Sequence, residues 1–269
     1  MNERNLNRNQ KEIIKKLSVI AKKILEPSDK ETPYSENKNI IDFIFMQSKE
    51  WKEKENIRLT IIDSKYSTNM NMRMYGINDI SKKLKCFNDQ NLLENADIFL
   101  KNINSLDKNR NNPIFALFFG SYGMHKGDVN SKDSASSIIS KYLFFLTKYK
   151  FPIFDSLVQL SLWQLFEYPK KSDWYTFFEN ICYINNECNI NNFDILDNLL
   201  WLWGKIDKGN YSLILNKDDY SDLISKLELK SKNSKDIDLE MKLKENDIIN
   251  IINNNDLKEF INIKNFWKK

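Results

Sequence analysis

Apolar residues recur at three- and four-residue spacing along most of the chain. Ile13, Ile14, Leu17, Ile20, Ala21, Ile24 and Leu25 share one face, which predicts a helix over residues 10–26 that Pro27 ends. Residues 28–38 are polar, contain Pro33 and read as a loop. Helical periodicity resumes over 39–52 with Ile40, Ile41, Phe43, Ile44, Phe45 and Trp51. Residues 57–62 (IRLTII) are β-branched and fit either a buried helix or a short strand. Helices are predicted over 69–86 and 91–103, and Pro113 starts an apolar turn, PIFALFFG. Residues 120–133 hold three of the six glycines and form the clearest loop. A helix comes next over 134–147, then a short extended piece over 151–155 (FPIFD), then helices over 156–168 and 172–184. Residues 194–204 are strongly apolar and end in Gly204, as a C-cap would. Residues 217–269 read as polar helices and linkers. There is no internal repeat, and the sum is an all-α chain of roughly ten helices.

Composition narrows the choices. Hydrophobic residues make up 41% and aromatics 13%, enough carbon for a sizeable core. Only 6 Gly and 5 Pro are present, too few for the tight turns of a sandwich, a barrel or a glycine-cradled nucleotide fold. The net charge of +4 permits a nucleic-acid partner without requiring one. The cysteines, Cys86, Cys182 and Cys188, are odd in number and too few for a four-thiolate cluster or a closed zinc site, so no metal or cofactor is expected. A single histidine, His125, leaves no material for multi-histidine metal sites. The opening residues carry charges of both signs and no apolar core, and no run approaches the ~18 apolar residues of a membrane span. A cytoplasmic monomer with no membrane partner is the expectation.

The chemistry concentrates between Gly123 and Asp155. The segment FPIFD places a carboxylate directly after a proline-stiffened apolar stretch and at the start of the next helix. Such a carboxylate is held rigidly and partly desolvated, which suits general-base work or stabilisation of a neighbouring cation. The same aspartate also suits a plain helix N-cap, and the two roles are compatible.

The stretch SIISKYLFFLTKYKFPIFDSLV resembles the end of the helix-hairpin-helix DNA glycosylase domain. It looks closer still to a bacterial group of 8-oxoguanine-glycosylase-fold proteins with a pattern like SKxLHFLxPxxFPIxDS. Two further stretches are similar to segments of those proteins: residues 63–69 (DSKYSTN), where the superfamily has a helix start bordering its base pocket, and residues 197–205 (DNLLWLWGK). The resemblance spans about residues 57–205, with a divergent hairpin at 123–127 (GMHKG). It implies an all-α, helix-hairpin-helix glycosylase-like core over 57–209, N-terminal helices over 1–56 packing on it, and a helical C-terminal appendage over 210–269. It also implies DNA as partner, a flipped base, and hydrolysis of an N-glycosidic bond in repair or phage defence.

Asp155 falls on the family's catalytic aspartate. The Schiff-base lysine of bifunctional members lies about nineteen residues earlier, where this chain has Ser136. The resemblance therefore implies monofunctional chemistry with water as nucleophile. Lys141, which matches the SK of the bacterial pattern, and Lys132 are the nearby lysines that could enter the site; Lys141 also suits a stem laid along the core. His125, Lys126, Gly127, Ser136 and Ser137 would lie near the DNA backbone. Tyr66, Asn69, Tyr142 and Trp163 are candidate walls of a base pocket, by sequence proximity. Two other readings stay open. One is a non-catalytic helical module that binds DNA or protein. The other is a metal-dependent nuclease, with 57–62 as a strand leading into Asp63 and Lys65.

Overall fold

The computed structural model describes residues 6–66, 76–120, 122, 135–231, 245–252 and 254–267, without the side chains of 227–231 and 245–247. Among the described residues there are fourteen α-helices and one 3₁₀ turn, and no strand. In chain order they are α1 (Arg8–Leu25), α2 (Pro33–Gln47), the 3₁₀ turn Ser48–Glu50, α3 (Lys54–Tyr66), α4 (Gly76–Leu84), α5 (Asp89–Lys101), α6 (Leu106–Asn109) and α7 (Pro113–Phe119). The chain continues through α8 (Ser136–Leu146), α9 (Ser156–Phe166), α10 (Trp174–Glu187), α11 (Phe193–Asp207), α12 (Lys217–Ser231), α13 (Glu245–Ile251) and α14 (Asn255–Trp267).

Several boundaries differ from the sequence pattern, each for a local reason. Pro33 opens α2 instead of interrupting a loop. Its missing N–H costs nothing in the first turn, and Thr32 and Ser35 form a reciprocal cap ahead of it. That helix stops at Gln47, and Trp51 lies beyond it, exposed. Pro113 likewise begins a helix, α7, with Asn112 as its cap. The IRLTII segment is helical within α3, so the strand that the nuclease reading requires is absent there, and Asp63 is buried on that helix.

Gly204 does not end α11. It lies inside the helix, where an added Cβ would sit 2.6 Å from Leu157 Cγ and 3.0 Å from Ser161 Oγ of α9. The missing side chain lets the two helices close together, and the Ser161 hydroxyl donates to the Leu200 carbonyl at 2.6 Å across the gap. The helix is terminated by Gly209 at φ 67°, with Gly209 N–H on Ile206 O at 2.9 Å and Asn210 N–H on Lys205 O at 3.0 Å. This paired arrangement places a left-handed residue just past the cap.

α11 runs through the middle of the molecule, packed against α1 and α9. α8 lies against α2, α3, α5 and α7. The segment expected as a C-terminal appendage ends in a helix that belongs to the core. α14 packs on α1, with Leu257, Phe260 and Ile261 fully buried. Lys264, fully buried, reaches Asp207 at 3.3 Å and covers the ring of Trp203 at 5.1 Å. No helix of the described residues is long and apolar enough to cross a membrane.

Candidate functional site

The turn that delivers Asp155 is built by aromatic packing. α8 ends with Lys148 and Tyr149 both left-handed (φ 54° and 68°), and their N–H groups return to Phe145 O at 3.2 Å and Phe144 O at 2.7 Å. Two consecutive non-glycine residues in this region are strained. Packing of the surrounding side chains holds them there. The Tyr149 ring packs on Phe144 and carries Lys38 Nζ at 4.4 Å over its face. Phe151, fully buried, stacks on Phe118 and meets Phe178 edge-on. Phe154 packs edge-on against Phe177 at 5.0 Å, and its N–H donates to Ser140 Oγ at 2.9 Å. The backbone entering Asp155 is thus anchored on both sides.

Asp155 is the N-cap of α9. Its Oδ1 accepts the Leu157 N–H at 2.8 Å, and its Oδ2 faces Lys141 Nζ at 3.1 Å. The Lys141 side chain is only 3% exposed, whereas that of Asp155 retains 25%. Lys141 also donates to Ser137 Oγ at 3.0 Å, and its ammonium lies 5.1 Å from the centre of the Tyr66 ring. Three directions of the ammonium are therefore occupied by a carboxylate, a hydroxyl and an aromatic face. Burial raises the Asp155 carboxyl, but Lys141 and the Leu157 N–H more than offset this, so its pKa lies below the ordinary carboxylate value.

Behind this pair runs one face of α11. Asp194, Asp197, Asn198, Trp201 and Lys205 recur at helical spacing, against the ends of α1 and α2. Lys38 is held by Glu26 at 2.7 Å and by Asp194. Tyr34 donates to Asn198 Oδ1 at 2.6 Å, and Asn198 donates to Glu26 at 2.8 Å. Lys205 lies 5.0 Å from the Trp201 ring centre, and burial lowers its pKa despite the pull of Asp155. Burial, then the charges of Asp155 and Asp194, push Asp197 up to about 8. Tyr66 is raised well above its ordinary value by burial, then by Asp197, Asp194 and Asp155, and Tyr34 likewise by burial, then by Tyr66, Asp197 and Asp194.

The predicted site residues divide cleanly. Asp155, Lys141, Ser137 and Tyr66 come together as one contact cluster. Ser136 is buried at the start of α8. Tyr142 is not a pocket wall. It is fully buried on another face of α8, with its hydroxyl 3.3 Å from Arg58 Nη1 and its ring packed on Phe45. Trp163 is not near Asp155 either. Eight residues along α9 place it ~12 Å up the axis, where it borders a cavity of 550 Å³ with Ile13, Phe266 and Trp267 and lies beneath Lys170. Asn69, His125, Lys126, Gly127 and Lys132 lie outside the described residues.

Sequence reasoning gave no site role to Tyr34, Lys38, Asp194, Asp197 or Lys205, although Asp197 and Lys205 fall in the 197–205 stretch that carries part of the resemblance. The signal for Asp194, Asp197 and Lys205 is the recurrence of polar residues on one face of the otherwise apolar α11; Tyr34 and Lys38 lie on α2 and meet that face only in the fold. Among the described residues no group of three or more His, Cys, Asp or Glu is placed to hold a metal ion. Cys182 is buried with its thiol pushed up to about 12, which leaves it without nucleophilic character. No family model, no curated protein and no solved structure matches the chain, so the site stands on its own geometry.

Proposed function

We propose that the chain is a DNA glycosylase-like enzyme that hydrolyses the N-glycosidic bond of a damaged or modified base flipped from duplex DNA. One observation carries the reading: Asp155 is an ionised carboxylate fixed at the mouth of α9, partly open to solvent, beside a buried cation and the ring of Tyr66. Breaking the glycosidic bond builds positive charge on the sugar, and a fixed carboxylate stabilises that charge without reorganising. Asp155 also accepts the proton of an attacking water. The ammonium of Lys141 is committed to Asp155 and Ser137, so water rather than the amine is the nucleophile, and the chemistry is monofunctional. Tyr66 supplies an aromatic face on which an everted base rests.

The test uses duplex oligonucleotides that each carry one 8-oxoguanine, hypoxanthine or uracil, followed by alkali to cut abasic sites. Base release by the wild-type chain and its loss in Asp155→Asn are expected. An Asp155→Asn protein of equal activity rules out the assignment, and a borohydride-trapped adduct that disappears in Lys141→Ala rules out the monofunctional step. A second reading is favoured by the engagement of both Asp155 oxygens, one by Leu157 N–H and one by Lys141, which suits a purely structural cap. On that reading the chain is a non-catalytic helical module, with DNA binding but no base release, and binding unaltered in Asp155→Asn.

A further inference from the structure

The polar face of α11 contains one carboxyl that folding leaves unmatched. Asp194 meets Lys38 and, at 3.6 Å, Lys22. Asn198 is satisfied by Tyr34 and Glu26. Lys205 rests on Trp201. Asp197 is only 8% exposed, yet among the described residues no hydrogen bond or ion pair holds its carboxyl. It shares the polar face of α11 with Asp194, and the titratable groups it interacts with electrostatically are Asp155, Asp194, Lys141, Lys38, Tyr34 and Tyr66. A buried carboxylate with no donor is costly in its charged form, and the protonated acid removes that cost.

We propose that Asp197 is the acid of the site, a protonated carboxyl that donates its hydrogen to an acceptor atom of the base and passes the proton over as the glycosidic bond breaks. The proposal rests on the glycosidic reading and deepens it by dividing the work between two carboxyls. Asp155 is kept ionised by Lys141 and the Leu157 N–H, while burial and two neighbouring carboxylates keep Asp197 neutral up to about pH 8. Two carboxyls driven apart in this way form an acid and base pair. In the step itself, the electron pair of the bond from C1′ to nitrogen goes to the base, which takes the Asp197 proton. Water bonds to C1′ and gives up a proton to Asp155. That proton returns through solvent to Asp197, so the net reaction consumes one water and releases the free base. The ligand recognised is a nucleobase with a ring nitrogen or carbonyl oxygen able to accept a hydrogen bond.

The experiment measures single-turnover base release from the same duplexes between pH 6 and 10, for wild type and Asp197→Asn. Asparagine is close in size and keeps a donor but cannot transfer a proton. The wild-type rate should fall about tenfold per pH unit above about pH 8, and Asp197→Asn should be slower by ~10²–10⁴-fold with no alkaline limb. An Asp197→Asn protein that matches the wild-type rate and keeps the limb overturns the acid role and leaves the glycosidic reading intact. Wild-type protein that releases no base from any duplex overturns the glycosidic reading, and the acid role with it. A second measurement is independent of turnover. In carboxyl ¹³C spectra of aspartate-labelled wild-type protein, with Asp197→Asn or Asp197→Glu used for assignment, the Asp197 resonance should titrate near pH 8. A midpoint below pH 5 overturns the proposal.

Discussion

Replacing Asp155 by asparagine separates the two duties of that side chain. Asparagine caps a helix as well as aspartate does, so the bond to Leu157 N–H at 2.8 Å survives. The charge does not survive, and a Lys141 ammonium only 3% exposed is left with Ser137 and the Tyr66 ring. Removing one partner of a buried pair costs ~3–5 kcal/mol. Asp155→Ala loses the cap as well, a further ~1 kcal/mol. Lys141→Met is milder, about 1.5–3 kcal/mol, because Asp155 keeps its backbone donor and a quarter of its exposure to water. The double variant should therefore be more stable than Asp155→Asn alone, with a coupling of at least ~2 kcal/mol. Urea unfolding at pH 7, monitored by circular dichroism with m unchanged across the set, measures the wild type and all four variants.

The pH dependence has a definite sign. The Asp155 carboxyl is lower in the folded chain than in the unfolded one. Its contribution is complete above the unfolded carboxyl value of about 3.9 and is lost as pH falls through the folded value. The stability gap between wild type and Asp155→Asn should close as pH falls below about 4. Effects of Asp155→Asn and Lys141→Met that add within ~0.5 kcal/mol, or a gap that widens in acid, would refute the pair as the organiser of the site.

Two further predictions concern the scaffold. Gly204→Val should lower stability by about 2–3 kcal/mol, because its Cβ would meet Leu157 Cγ at 2.6 Å and Cδ1 at 2.7 Å; an unchanged melting temperature would mean that α9 and α11 do not approach this closely. Phe260→Ala should cost ~3–5 kcal/mol in urea unfolding, since the ring is fully buried beside Trp203; a cost below ~1 kcal/mol would place α14 outside the core.

The legible part of this protein is the part whose determinants are close in sequence. The helix over residues 10–26, the end of the helix near 147 and the aspartate opening α9 depend on residues within a turn or two of each other. Pro33 and Pro113 mislead because the same residue that breaks a helix interior is tolerated in its first turn. Gly204 misleads because its reason lies on another helix: the missing Cβ makes room for Leu157 of α9. Tyr142 stands next to Lys141 in the chain, but successive helical residues point ~100° apart, and it faces Arg58 instead.

The polar face of α11 is the least legible feature, since its partners lie more than 150 residues away: Lys38 for Asp194 and Tyr34 for Asn198. From the sequence alone, polar residues at helical spacing signal a face turned to water. Here that face is buried, and burial changes what each group is worth. Charges paired in a protein interior contribute little net stability, and apolar replacements often serve as well. Lys38, Asp194, Glu26 and Asn198 at least satisfy one another and fix how α1, α2 and α11 meet. Asp197 fixes nothing of the kind. A leucine in its place would have a similar branched shape without a carboxyl to desolvate, so the fold gives no reason for an acid at this position, and the proposed acid role supplies one.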